Sequence, residues 1–386
     1  MSNTIYFDNA ATSHPKPEAV YQAADSFNRR GGSAGRAAHK LALSCSREVF
    51  ETRLALAEFL GVASPERLIF TSGCTQSINV ALHACRLRAG QTVLVSSLEH
   101  NAVMRPLYEM QRQLDIRVVP LNYRPGEIFA LEELENRLSE LQPALCVFTE
   151  ASNVTGELLD LVSVAQLCAR FEVPLLVDAA QSAGVSAASL NAAPLSFWCA
   201  SGHKGLLGTQ GVGLLYVGNA VANVEPLISG GTGSNSENFE MPSAFPDRLE
   251  PGTMPGPAIA SLAAGVAYLN AQGKASVAAA ELALVHELAD WLAERPSFKV
   301  YGAAAQRRVP LLSFELGGVD SSLVAELLDR DFDICVRAGL HCAAAAHKTL
   351  GTLKRGLLRV SFSSFNTRDE LSQLFAALDE ISSKHL

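Results

Sequence analysis

Through residues 67–217, short apolar runs alternate with stretches of helical periodicity. The runs at 67–70, 91–95, 116–119, 144–148 and 174–177 have the length and composition of buried strands. Between them, 76–87, 131–141 and 161–171 carry apolar residues at helical spacing, and another helix begins near Asn101. Upstream, 44–60 aligns Val49, Leu54, Leu56, Ala57 and Leu60 along a helix that Gly61 closes. Two further strand-like segments, 194–200 and 212–217, flank a glycine-rich turn. This βαβ rhythm predicts an α/β fold with a mainly parallel, doubly wound sheet.

Beyond Val217 the pattern changes. Residues 230–255 are rich in Gly, Pro and Ser, and read as a functional loop or an oligomer contact. Alanine-rich helices follow over 259–294, and Pro296 marks a boundary. Strands at 309–315 and 357–362, with helices at 322–329 and 368–383, predict a smaller α+β domain. The chain of 386 residues is long for a single core. We therefore expect a large domain over 15–294 and a small one over 295–386 that also takes in the N-terminal segment 1–14.

Charge and composition narrow the partners. A net charge of −8 without a Lys/Arg cluster argues against nucleic acid. Neither a basic-then-apolar leader nor an apolar run long enough to span a bilayer is visible, so we expect no membrane partner and a cytoplasmic location. The eight cysteines include no CxxC pair and read as free thiols. The nine histidines show no HExxH spacing, so no metal site is expected.

In doubly wound sheets functional groups gather beyond the carboxyl ends of strands. Here those positions hold His100, then Ser152 and Asn153, then Asp178 and Gln181, then Ser201-Gly202-His203-Lys204. Alone, Lys204 reads as a solvated loop lysine. In this company it is a candidate for a Schiff base with a carbonyl cofactor. The turn Thr71-Ser72-Gly73-Cys74-Thr75 suits either an anion site built from free N–H groups or an ordinary Ser/Thr helix cap. No GxGxxG or Walker A run occurs, which argues against dinucleotides and nucleoside triphosphates. An amine, an acid and a site for one phosphate on a single rim suggest pyridoxal 5'-phosphate.

The motifs DNAAT (8–12), TSGCTQSIN (71–79), LEHNA (98–102), SNVTG (152–156), VDAAQSAG (177–184), SGHKGLLGTQGVG (201–213), EPGT (250–253), RAGLHC (337–342) and RVSFSSFNT (359–367) run along nearly the whole chain. In this order they resemble class V of the pyridoxal-phosphate aminotransferase superfamily, in its cysteine desulfurase and selenocysteine lyase branch. The resemblance implies fold type I, with a seven-stranded-type sheet in the large domain. It implies that Lys204 holds the cofactor and acts as base at the substrate Cα, that Asp178 keeps the ring nitrogen protonated, and that His100 stacks on the ring and shuttles protons. Gln181 would donate to the phenolate oxygen. Thr75, Ser201 and His203, with the N–H groups near Gly73 and Cys74, would bind the phosphate. Thr253 would reach the phosphate of a neighbouring subunit in a homodimer. Arg359 would clamp the substrate α-carboxylate, helped by Asn153, and Ala10 would line the substrate site with Asn9, Arg36 and His39.

Cys342 sits where desulfurases carry the cysteine that attacks the sulfur of bound L-cysteine, giving L-alanine and an enzyme persulfide. Arg337 or His341 would assist by lowering the thiol pKa. The sulfur would pass to an acceptor protein and onward to iron–sulfur cluster assembly. No residue visibly distinguishes L-cysteine from L-selenocysteine. Residues 343–348, alanine-rich, lack the proline and polar residues expected after the nucleophile. Two alternatives remain: a lyase or aminotransferase of the same fold that leaves Cys342 idle, and a non-catalytic scaffold that kept the fold without turnover.

Overall fold

The computed structural model describes residues 4–35, 37–186 and 189–385. The first half holds β1 (Ile5–Tyr6), α1 (Glu18–Arg30), α2 (Lys40–Leu60), β2 (Leu68–Thr71), α3 (Cys74–Ala84), β3 (Thr92–Ser96), α4 (Asn101–Leu114), β4 (Arg117–Leu121), α5 (Leu131–Leu141), β5 (Leu145–Thr149), α6 (Leu161–Arg170) and β6 (Leu175–Asp178). There follow β7 (Phe197–Ser201), β8 (Gly213–Val217), α7 (Gly256–Gln272), α8 (Lys274–Ala293), β9 (Phe298–Tyr301), β10 (Leu311–Leu316), α9 (Ser321–Phe332), β11 (Ile334–Cys335), β12 (Arg337–Gly339), α10 (Ala344–Leu350), β13 (Leu357–Ser361) and α11 (Arg368–His385).

Seven strands form one sheet in the order β2-β8-β7-β6-β5-β3-β4. From β7 to β4 every pairing is parallel, and β8 runs antiparallel between β7 and β2. Both faces of its central strands are covered, which is why those strands read as unbroken apolar runs. Successive side chains divide between two cores: Leu94, Phe148, Val177 and Trp198 pack on one face, and Val93, Val147, Leu176 and Cys199 on the other.

A second, antiparallel sheet runs β12-β13-β10-β9. Its core takes in Phe298, Phe314 and Val360, together with Leu284, Val285, Leu288 and Leu292 of α8 and Ile5 and Phe7 from the N-terminus. The N-terminal strand reaches this part by pairing β1 in parallel with β11, and Asp8 then bridges to Ser361. The segment 5–8 is thereby carried to the edge of β13, where its polar side chains meet those of the second sheet.

Several limits differ from the sequence expectation. α2 begins at Lys40 because the His39 ring accepts from the Ala42 N–H, at 3.3 Å, and caps it. α3 starts at Cys74, two residues before the expected 76, and ends at Ala84. The expected loop 337–343 is partly a strand, since β12 pairs along β13 from Arg337 to Gly339. The alanine-rich segment after Cys342 is α10, as alanine's helix propensity favours.

Candidate active site

Asp178 and Ser201 end adjacent parallel strands, β6 and β7, whose register sets Asp178 opposite Cys199. Beyond them the turns 178–184 and 201–208 touch backbone to backbone. A Cβ on Gly184 would lie 2.2 Å from the Gly205 carbonyl oxygen, and the φ of +88° at Gly184 is one that L side chains rarely adopt. Glycine at both positions lets Asp178, Gln181 and Lys204 converge.

They line a cavity together with Cys74, Thr75, His100, Asn153 and Ser201. Burial lowers the Lys204 amine, opposed in part by Asp178. Asp178 accepts from the Ala180 N–H at 2.9 Å and from the Cys74 thiol at 3.4 Å, both through Oδ1. His100 caps α4: its Nδ1 accepts from the Ala102 N–H at 3.0 Å. Burial lowers its pKa, with Asp178 opposing. The neutral ring therefore carries its proton on Nε2.

The turn at Gly73 bears on the two readings of Thr71–Thr75, and the Gly73 N–H donates to Thr71 Oγ1 at 3.4 Å. Gly73 is the N-cap of α3 and no side chain caps it. Thr71 Oγ1 instead pairs with Ser77 Oγ at 2.8 Å. An uncapped N-terminus with Thr75 and Ser201 facing the same cavity favours an anion site over a Ser/Thr cap.

Some expected residues lie outside this cavity, and Gln181 in its wall is already engaged in part. The His203 ring is 3.0 Å from Thr12 Oγ1 through Nδ1, and burial pushes its pKa down to about 4. Gln181 donates to the Ala10 carbonyl at 3.0 Å, which leaves the second N–H of its amide. Ala10 and Asn9 line an adjoining cavity of about 550 Å³ that also borders Gln181 and Lys204. His39 is a helix cap, Arg36 falls outside the described residues, and Thr253 is exposed.

Arg359 is buried at β13. Its Nη2 donates to Asp8 Oδ1 at 2.7 Å and its Nη1 to the Asn153 carbonyl at 3.2 Å, while Nε has no partner among the described residues. The Asn153 side chain donates to the His341 carbonyl at 2.7 Å. Cys342 is exposed on the turn that follows. Its carbonyl accepts from the Asn101 N–H at 2.7 Å, next to His100. His341 and Cys342 both take positive φ, 50° and 55°, a conformation that non-glycine residues hold only where the surroundings enforce it.

His341 does not assist the thiol as a cation. It is buried beside Arg359 and His347, and its pKa is pushed down to about 2, chiefly by burial. Arg337 lies 3.9 Å from Asp8 and is half-exposed.

Two acids passed unnoticed in the sequence. Glu99, beside His100, is fully buried; it accepts from Ser96 Oγ at 2.5 Å and from the Thr149 N–H at 2.8 Å, joining the ends of β3 and β5. Asp8 is the partner of Arg359. Their motifs, LEHNA and DNAAT, were the available signals, but neither spacing reveals a partner.

Glu281 of α8 lines the adjoining cavity, and burial raises its carboxyl to about 8, against an N–H from Ser364 that lowers it. In the unfolded chain it ionises near its ordinary 4.5. Below that pH both states hold the proton; above it only the folded state does, until about 8. Stability is therefore lost as pH rises through this window. Glu281→Gln should narrow the difference in stability between pH 5 and pH 8.5, by on the order of a few kcal/mol at most. Thermal melts at the two pH values measure it. Glu99, likewise raised to about 8 by burial, contributes a slope of the same sign.

A model of the aminotransferase class-V family matches residues 5–374. The chain belongs to the class-V aminotransferase family. It is 31% identical to a protein named probable cysteine desulfurase from Methanothermobacter thermautotrophicus, over 99% of this chain and 95% of that one. It is also 31% identical to a cysteine desulfurase of Escherichia coli O157:H7, over 97% and 93%. Among solved structures, the apo cysteine desulfurase of Thermococcus onnurineus NA1 matches with a TM-score of 0.91 at 27% identity, over 99% and 95% of the two chains. A cysteine desulfurase of Escherichia coli matches at 0.86 and 28%, over 99% and 95%. The mostly parallel seven-stranded sheet with an antiparallel second sheet is fold type I, and class-V aminotransferases as a family use pyridoxal phosphate. Among the described residues no helix is long and apolar enough to cross a membrane.

Proposed function

We propose that this class-V aminotransferase is a pyridoxal-phosphate-dependent cysteine desulfurase that carries sulfur as a Cys342 persulfide. The observation behind this reading is the cavity where Lys204, Asp178 and His100 meet, one residue from the backbone bond that ties down the exposed Cys342 turn. The donor set fits the cofactor: an amine lowered by burial, a carboxylate engaged through one oxygen only, and an uncapped helix start flanked by hydroxyls. When bound, pyridoxal phosphate supplies an aldehyde for amines and a ring that delocalises the electrons left at the substrate Cα.

Lys204 Nζ would hold the cofactor and would take the Cα proton. Asp178, through Oδ2, would favour the protonated ring nitrogen. His100 would lie against the ring and move a proton through Nε2, and Gln181 would offer its second N–H to the phenolate oxygen. Thr75 and Ser201, with the N–H groups near Gly73 and Cys74, would hold the phosphate, and His203 would join them only by giving up its bond to Thr12. Arg359, whose Nε is the unused donor, receives the α-carboxylate with Asn153 and Ala10 nearby. The Cys342 thiolate would attack the substrate sulfur, an S–S bond forming as the Cβ–S bond breaks, and one proton delivered to Cβ with the return of the proton taken from Cα would complete L-alanine.

The same reading makes the protein a cytoplasmic homodimer that passes sulfur to an acceptor protein for iron–sulfur cluster assembly. Support for a second copy comes from α2, which leaves Leu43, Phe50 and Leu54 exposed beside a surface cavity of about 1,050 Å³ bordered by Met254 of the EPGT loop. Thr253 is exposed on that loop and so available to a partner's phosphate. We divide the chain into 15–294 and 295–386 with 1–14, with the Leu284–Leu292 face of α8 seated in the second core.

Incubation of the reconstituted protein with L-cysteine should release L-alanine in step with persulfide and sulfide. No alanine from the wild type refutes the proposal. L-selenocysteine run side by side identifies the preferred substrate.

A further inference from the structure

Cys74 is the first residue of α3, and its thiol is buried in the wall of the Lys204 cavity. Its Sγ lies 3.4 Å from Asp178 Oδ1, the oxygen that also accepts the Ala180 N–H at 2.9 Å. Burial and the Asp178 charge push the thiol well above its ordinary pKa, so the group remains S–H and donates. It is neither a nucleophile nor a candidate for persulfide chemistry, because the thiolate is the reactive species.

Both donors land on one carboxylate oxygen. The arrangement pins the rotation of the Asp178 side chain and reserves Oδ2 for a partner in the cavity. A thiol is a weak donor, so it supports the carboxylate without holding it as tightly as a hydroxyl would.

We propose that Cys74 is a positioning residue that orients Asp178 and tunes its hold on the ring nitrogen of pyridoxal phosphate. This rests on the cofactor reading given above. Cys74→Ala should weaken pyridoxal phosphate binding to the apo protein by roughly two- to tenfold, the scale of one lost hydrogen bond. It should also displace the pH midpoint of the visible absorption of the reconstituted protein by roughly half a unit or more. Cys74→Ser, which restores an O–H donor of similar size, should recover the affinity and move the midpoint back toward the wild type. A purely structural role would lower the melting temperature without moving the midpoint.

An alanine variant with wild-type affinity and midpoint overturns the proposal. So do alanine and serine variants that are equally impaired, since volume rather than the donor would then matter. A wild type that binds no pyridoxal phosphate overturns the cofactor reading itself, an outcome separate from either.

Discussion

Lys204→Ala should give a folded protein that forms no detectable alanine from L-cysteine. The side chain stands on the turn after β7, in the cavity with Asp178 and His100. Its amine is lowered by burial, so a larger share is free base near neutral pH than for a solvated lysine. Two functions go with it, the covalent attachment and the base at Cα. Loss of a positioned base alone costs roughly 10²–10⁴-fold, and the attachment adds to that. Lys204→Arg separates charge from chemistry. It keeps a cation near Asp178 but offers no free base, and it should be as inactive as the alanine variant. The fold should survive the alanine change, because removing a buried amine relieves a desolvation cost, and circular dichroism shows whether the bulkier arginine is tolerated. Alanine assays, visible spectra and circular dichroism on the three proteins check the set. Substantial alanine formation by either variant refutes the assignment of Lys204.

The central sheet was legible because its strands are buried on both faces. Runs such as Val93-Leu94-Val95 admit no helical reading between polar turns, and their alternation with helices implies parallel crossovers. The strand-end rule then found the polar side chains of the cavity, since a parallel sheet directs Asp178 and Ser201 to one rim whatever the loops do. What escaped was either short or paired over long range. β11 and β12 span two and three residues, too few for periodicity to register. Asp8 and Arg359 are 351 positions apart, and only the bridge from Asp8 to β13 brings them together. Glu99 and Glu281 look like surface acids in the sequence, but their burial is decided by packing against distant elements. His341 misled for the same reason. A histidine beside a reactive cysteine suggests a cation, yet this ring is buried and neutral next to Arg359.

Cys342→Ala should abolish protein-bound persulfide and slow alanine formation on the order of 10²-fold or more, as expected when a group acting in the transition state is removed. The alternatives predict otherwise. A lyase or aminotransferase that leaves Cys342 idle would be unaffected, and an aminotransferase would accumulate a keto acid with the cofactor in its amine form. Folding should not confuse the result. The turn is held by main-chain carbonyls, from Asn101 to Cys342 and from Asn153 to His341, and neither bond uses the thiol. Cys342→Ser tests this further, since it keeps the shape and a polar atom but not the thiolate, and it should fail equally. Cys335→Ala, which changes the partly exposed thiol that donates to Asp329 at 3.7 Å, should retain the persulfide. Because His341 stays neutral through the working pH range, replacing it should act on the seating of the turn rather than on thiol charge. The pH dependence of persulfide formation would then keep its shape while its maximum falls. The strained φ values at His341 and Cys342 point the same way. What the surroundings of Cys342 supply is a fixed position beside the start of α4, one residue from the ring that is proposed to move the proton.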